Sequence, residues 1–250
     1  MKNPEWFSEK INWLNLYYYK DYKPAIYLGD KIGLREFIES KELEKFLVPL
    51  IGTFYDINDI QFLELPNQFV VKKSNASGMN IIVKDKSQIV ESNLMSRLNK
   101  WMKTDYGSVS GEKHYSKMEP RIMIEEYLED ICREYQFFIF NGKVKSMAII
   151  NFAFNDYYEE GLITSKSIDE KINMEIKQLE SFEIKELLNK LCDIDYLKEI
   201  PFFRCDLIET KSGKIYIGEF TFTPGNGLNT SMSKEQQLEW GKYLRLPLDD

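Results

Sequence analysis

Residues 203–227 read FRCDLIETKSGKIYIGEFTFTPGNG. Two runs with strand character, Phe202 to Ile208 and Lys214 to Phe220, flank the turn-forming cluster Thr210-Lys211-Ser212-Gly213, which predicts a β-hairpin. With Ser212-Gly213 at the loop centre, Asp206 falls opposite Glu219 and Arg204 opposite Thr221, all four on one face because side chains alternate with period two. A loop of odd length would send Glu219 to the other face. Carboxylates directly opposite on a shared face lie roughly 5 Å apart at Cβ and repel unless a cation stands between them. Mg²⁺ or Mn²⁺ answers that repulsion, taking hard oxygen ligands and leaving positions free for phosphates. The other reading is a solvated ladder in which Arg204 neutralises both acids. Beyond Phe220 the alternation stops, and Pro224, Gly225 and Gly227 let the backbone approach a ligand closely.

Upstream, Leu65-Pro66-Asn67 is a turn before the strand Gln68 to Lys73, which delivers Lys72 to the mouth of the loop Ser74-Asn75-Ala76-Ser77-Gly78. Lys73 points to the opposite face and is expected to tolerate substitution. A second strand follows from Asn80 to Lys84. Free backbone N–H groups and small hydroxyls in such a loop can hold phosphate oxygens, and an ordinary hairpin turn is the alternative, since neither a Walker lysine motif nor G-x-G-x-x-G is present. Arg121 to Leu128 reads as a strand ending in the paired acids Glu125 and Glu126. Glu134 to Phe140 and Lys143 to Phe152 flank Asn141-Gly142, a type I′ hairpin signal.

The helices frame these strands. Ser8 is placed to cap a helix reaching Tyr19, and Asp30 one over residues 30–47 with Leu34, Phe37 and Ile38 inward. Lys31 and Arg35 on that helix read as a solvated cationic pair. Ser87 starts a helix with Val90, Leu94, Leu98 and Trp101 inward. Phe182 to Cys192 is amphipathic, and Ser233 with Gln236 makes a capping box for residues 234–244. Residues 104–119 and 155–170 read as loops open to a substrate.

The 250 residues are ample for one large domain or two interlocked lobes, with an apolar fraction of 43% and 29% charged. A net charge of −7 without a basic run weighs against nucleic acid as a partner. Three scattered cysteines with no C-x-x-C read as reduced thiols of a cytoplasmic protein. The aromatic N-terminal stretch is too charged for a signal peptide or membrane span. His114 is the single histidine, read as a loop residue beside Tyr115, which weighs against histidine-based triads and multi-histidine zinc sites.

Arg204-x-Asp206, a hairpin, then Glu219-x-Thr221-x-x-Pro224-Gly225 resembles the metal-binding end of the ATP-grasp superfamily, whose D-alanine:D-alanine ligases carry R-x-D and E-x-N-x-x-P-G. Thr221 stands where asparagine is usual. The wording GEFTFTPGNG after FRCDL is closer to the TupA-like ATP-grasp group, associated with teichuronopeptide and other bacterial cell-surface polysaccharides. Phe69-Val70-x-Lys72 and Ser77-Gly78 match that group's FVLKxNHGSG segment, and Tyr135-Gln136-Phe137-Phe138 its D-Y-K-F-Y, with Gln136 replacing a lysine.

This resemblance implies an α+β ATP-grasp fold in which two α+β lobes hold the nucleotide between them. Its segments would be residues 1–65, a nucleotide-binding lobe 66–127 and a C-terminal lobe 128–250 carrying the metal hairpin. It implies ATP with Mg²⁺ or Mn²⁺ on Asp206, Glu219 and Thr221, and phosphates met by Lys31, Lys72, Ser77 and Gly78. The base would lie against Glu125 and Tyr127 and the ribose against Glu134. Arg204, with Lys72, would stabilise the transferred phosphoryl group. The implied reaction joins a small or glycan-linked carboxylate to an amine acceptor through an acylphosphate, in the cytoplasm, without a protein nucleophile. Oligomeric state is left open, a homodimer included.

Three other readings compete. Asp193-Ile194-Asp195 is a D-x-D, as in metal-dependent glycosyltransferases, yet no apolar strand precedes it and a solvated helix end accounts for it. A small-molecule kinase of the same fold would stop after phosphoryl transfer. A non-catalytic nucleotide-binding relative would accommodate Thr221, Gln136 and the altered loop.

Overall fold

A computed structural model describes residues 3–151, 181–228 and 232–247. The chain starts with α1 (Phe7–Trp13), which runs into a π-helical turn closed by Tyr19 N–H on Leu14 O (2.6 Å), then α2 (Lys23–Gly29) and α3 (Lys31–Glu39). Ser8 lies inside the first turn of α1; Trp6 is the cap, and Glu9 folds back onto its N–H (3.0 Å). Asp30 does cap α3, Oδ1 accepting from Ile32 and Gly33, but the helix stops at Glu39 rather than continuing to residue 47.

The first sheet contains β1 (Leu50–Phe54), β2 (Phe69–Lys73), β3 (Asn80–Val83) and β4 (Ile122–Glu126), in the order β1-β4-β2-β3, with every pairing antiparallel. Phe69, Val71 and Lys73 alternate onto its covered face, beneath Leu94, Leu98 and Trp101 of α4 (Glu91–Lys103). Val90 is not part of that face: it is the exposed residue before the helix. Between α4 and β4 lie α5 (Tyr106–Ser110) and a helical turn over Lys113–Lys117.

The second sheet runs β6-β5-β7-β8, again antiparallel, from β5 (Ile131–Phe140), β6 (Lys143–Asn151), β7 (Phe202–Thr210) and β8 (Ile215–Thr221). Asn141 and Gly142 both take positive φ (46° and 70°), as a type I′ turn requires. Helices α6 (Phe182–Asp193), α7 (Asp195–Lys198) and α8 (Lys234–Tyr243) complete the fold, α8 capped by Ser233. Residues 155–170 and Phe152 lie outside the described residues.

Two apolar cores result. One lies within residues 57–124, and the other joins the second sheet to the helices of residues 7–47 and to α6 and α8. Strand β1 therefore completes the first sheet while the helices before it complete the second core. No helix among the described residues is long and apolar enough to cross a membrane.

Candidate active site

The β7–β8 hairpin closes through a three-residue loop, since Thr210 N–H bonds Lys214 O (3.0 Å) and Gly213 takes φ +83°. The loop is thus odd, not the two-residue loop expected from Ser212-Gly213. Pairing near the turn follows that register, Leu207 opposite Ile217, but Gly218 then stands as an unpaired extra residue. The bulge restores Asp206 opposite Glu219 and Arg204 opposite Thr221. Core positions on β8 and beyond record the same step: Ile215, Ile217, Phe220 and Phe222 are buried, spaced two, three and two.

Arg204 grips Asp206 with both arms, Nε on Oδ1 at 2.6 Å and Nη2 on Oδ2 at 2.5 Å. The same Nη2 donates to Thr221 Oγ1 (3.3 Å) and lies 3.9 Å from Glu219. Burial, opposed by Arg204 and reinforced by the charges of Glu219 and Glu134, pushes the Asp206 carboxyl up to about 7. Burial acts likewise on Glu219, but Lys31 and Arg204 overcome it and hold that carboxyl below the usual range. Lys31 reaches from the first turn of α3 to both sides of the site, donating to Ala76 O (2.6 Å) and lying 3.4 Å from Glu219.

Two carboxylates and a hydroxyl are hard oxygen donors of the kind a Mg²⁺ takes when phosphates and water complete its shell, so the residues fit such an ion. Among the described residues no group of three His, Cys, Asp or Glu side chains is placed to hold a metal, and Arg204 occupies one lone pair on each Asp206 oxygen, leaving the others for an ion.

Lys72 emerges on the face of β2 opposite Lys73 and pairs with Glu125 at 2.6 Å. Glu125, buried in β4, is also bound by Arg35 (2.9 Å), which donates further to Val48 O (2.8 Å). Arg35 is therefore no solvated partner of Lys31; it is buried and helps fix the anion that positions Lys72. Its partner lies 90 residues away, beyond any local pattern. Lys73, expected to be tolerant, is fully buried with Nζ on Thr104 O (2.6 Å). In the intervening loop Ser74, Asn75 and Ala76 are buried, whereas Ser77 and Gly78 are exposed at its tip. Gly78 has φ +70° with open space where a Cβ would stand.

Between the two sheets a cavity of about 130 Å³ is lined by Val70, Lys72, Glu125, Tyr127, Leu128 and Glu134, among others. Its walls join apolar strand residues to the chain crossing between β4 and β5. Glu134 accepts from Gln136 (2.8 Å), and burial raises its carboxyl pKa against Gln136 and Arg204. Lys31, Lys72, Glu125, Glu134, Arg204, Asp206, Glu219 and Thr221 thus lie along one cleft, with Ser77 and Gly78 at the loop tip.

Other polar residues near the cleft were not legible as such. Asp30, besides capping α3, accepts from Arg121 (2.8 Å), tying α3 to the residue that leads into β4. Glu112 is buried and accepts from Thr223 Oγ1 (2.7 Å); burial raises its carboxyl pKa, with Thr223 and Ser110 opposing. His114 is fully buried against Tyr115 (ring centroids 4.4 Å), rather than a loop residue in solvent. Asp193 and Asp195 are exposed and share Lys198, each at 3.1 Å, the solvated helix end expected of the D-x-D.

Solved structures with the same fold include D-alanine–D-alanine ligase from Bacillus anthracis (21% identity, TM-score 0.52, 87% of this chain and 63% of that chain). N5-carboxyaminoimidazole synthetase from Staphylococcus aureus complexed with ADP aligns at 17% identity and TM-score 0.51, over 90% of this chain and 54% of that one. D-cycloserine synthetase DcsG aligns at 12% and 0.51, over 88% and 70%. The chain thus spans little more than half the length of the first two. No curated protein matches it significantly. The fold is ATP-grasp, and the match of residues 9–245 to the family described as TupA-like ATPgrasp shows that the chain belongs to that family.

Proposed function

We propose that this chain is an ATP-dependent carboxylate–amine ligase, acting in the cytoplasm on precursors of a bacterial cell-surface polysaccharide. The observation that carries the reading is the Asp206–Glu219 pair, enclosed by Arg204 and Lys31 at one end of a cleft whose other end is the cavity beside Glu125 and Tyr127. The nucleotide-binding lobes are residues 66–127 and 128–250, with β1 and the helices of residues 1–65 completing their sheet and core.

In the proposed reaction a carboxylate oxygen of the donor bonds to the γ-phosphorus of ATP, and the bond to the β-bridging oxygen breaks to release ADP. The acceptor amine then bonds to the acyl carbon, the C–O bond to phosphate breaks, and the nitrogen gives up a proton. Glu125 and Tyr127 would contact the base and Glu134 the ribose. Lys31, Lys72 and the loop tip at Ser77-Gly78 would meet the phosphates. Arg204, once it leaves Asp206, would face negative charge developing on the transferred group. A Mg²⁺ held by Asp206 and Glu219, with Thr221 beside it, would neutralise the phosphates.

A screen for ADP release across uronic acids and amino acids tests the reading. Release that requires both a carboxylate and an amine, with amide formed in equal amount, is expected. Phosphorylated product from one substrate alone would make the protein a kinase. Stabilisation by a sugar nucleotide but not by ATP would overturn both.

A further inference from the structure

Glu112 is a carboxylate that the reaction above leaves without a task. It lies between α5 and the turn 113–117, at 8% exposure, with Oε1 on the hydroxyl of fully buried Thr223 (2.7 Å). Thr223 follows Thr221 by two residues, so this contact ties Glu112 to the end of β8. Arg204 and Glu219 are within its electrostatic reach, yet among the described residues no Lys or Arg forms an ion pair with it. Around it Tyr106 and Tyr115 pack edge to face (5.1 Å). Glu112, Tyr106 and Tyr115 all lie within electrostatic reach of Glu219, so the cluster lies at the Glu219 end of the cleft.

A carboxylate removed from water and met only by hydroxyl donors is costly, and a cation arriving beside it relieves that cost. Of the reactants in the proposed ligation, the amine acceptor is the one that brings an ionisable nitrogen whatever the carboxylate donor is. We infer that Glu112, held in place by Thr223, binds the ammonium group of the acceptor at the Glu219 end of the cleft. The acceptor is then a primary amine that arrives protonated, such as an amino acid or amino sugar; it passes one proton to Glu112 to free its lone pair and loses a second as the amide forms, and Glu112 is a specificity-determining residue. This inference rests on the ligase reading.

Calorimetric titration of the full chain saturated with Mg²⁺ and a non-hydrolysable ATP analogue tests it, with L-alanine, L-glutamate, L-lysine and D-glucosamine as amine probes and N-acetyl-D-glucosamine as the uncharged control. At least one amine is expected to bind, and Glu112→Gln, which keeps an oxygen for Thr223, to weaken it about tenfold or more, the loss of one charge-assisted hydrogen bond. The variant should keep the melting temperature and analogue affinity of the wild type and show no change toward the control. Equal amine affinity in the variant, or no binding of any amine to the loaded wild type, overturns the inference. Failure of the wild type to bind the analogue would instead sink the ligase reading itself. Should Glu112→Gln not fold, Thr223→Val, which frees the carboxylate without removing its charge, is expected to weaken the amine several-fold; unchanged affinity there also overturns it.

Discussion

Asp206 and Glu219 face each other across the β7–β8 ladder because Gly218 is an extra residue in β8. Without the bulge, the odd turn would place Glu219 on the face occupied by Ile217. A Cβ at position 218 would lie 3.3 Å from the Asp206 carbonyl oxygen, which is backbone and yields little. Gly218→Val is expected to destabilise the protein by about 1–3 kcal/mol, as overpacking does. It should also weaken Mg²⁺-nucleotide binding, since it displaces Asp206. Urea melts and nucleotide titration check both.

Neutralising the two acids should have unequal effects on stability. Glu219→Gln is expected to abolish ADP release and to lower the melting temperature only modestly, because Lys31 at 3.4 Å and Arg204 at 3.9 Å hold its charge at longer range than Arg204 holds Asp206. Asp206→Asn should abolish turnover and also lower the melting temperature, because it leaves a buried guanidinium without its two-pronged partner, a loss of up to about 3–5 kcal/mol. Turnover retained in either variant would exclude the metal site.

The adjacent lysines should separate binding from folding. Lys72→Ala is expected to weaken ATP about tenfold or more, with the fold intact. Lys73→Ala should leave ATP affinity near the wild-type value and cost about 1–3 kcal/mol in urea melts, because it strands the Thr104 carbonyl and removes a buried stem. Calorimetry with the reverse pattern would show that the faces of β2 have been misassigned.

His114 should make the fold sensitive to acid. Burial depresses its pKa to about 3, against about 6.5 in an unfolded chain, so between those values the unfolded state binds the extra proton. Its contribution is therefore whole above about pH 6.5 and lost as pH falls toward 3. From pH 6.5 to 5 the loss from this residue is about 2 kcal/mol. Urea melts at pH 7 and 5 should show it, and His114→Gln should flatten the difference.

Much of the cleft was readable because its parts are local. Asp206 and Glu219 sit either side of one turn, Lys72 and Ser77-Gly78 share one hairpin, and Asp30 caps the helix that begins with Lys31. The hairpin register was reached with the wrong loop, and the correcting signal was present in the spacing of Ile215, Ile217, Phe220 and Phe222. Arg35 and Lys73 were misread because their partners, Glu125 and Thr104, are set by tertiary contact. Periodicity gives the face of a residue but not what covers that face, and a long polar side chain on a covered face is invisible to it. Glu112 escaped for the same reason, its partner Thr223 lying 111 residues away.

The division of the two cores bears on how the chain folds. Residues 57–124 contain a contiguous core and can condense as soon as they are made, whereas Ile11, Leu14, Leu28 and Phe37 must wait for β7 and α8. Contacts such as Tyr19 with Phe202 and Ser8 with Gln237 close loops of 183 and 229 residues, the kind of closure that slows folding. During synthesis the helices of residues 7–39 therefore emerge before the elements that cover them, and their apolar faces stay bare until residues 202–243 arrive. The core beneath Arg204, Asp206 and Glu219 thus closes only when residues 7–39 meet β7 and α8, after the sheet bearing Lys72 has formed.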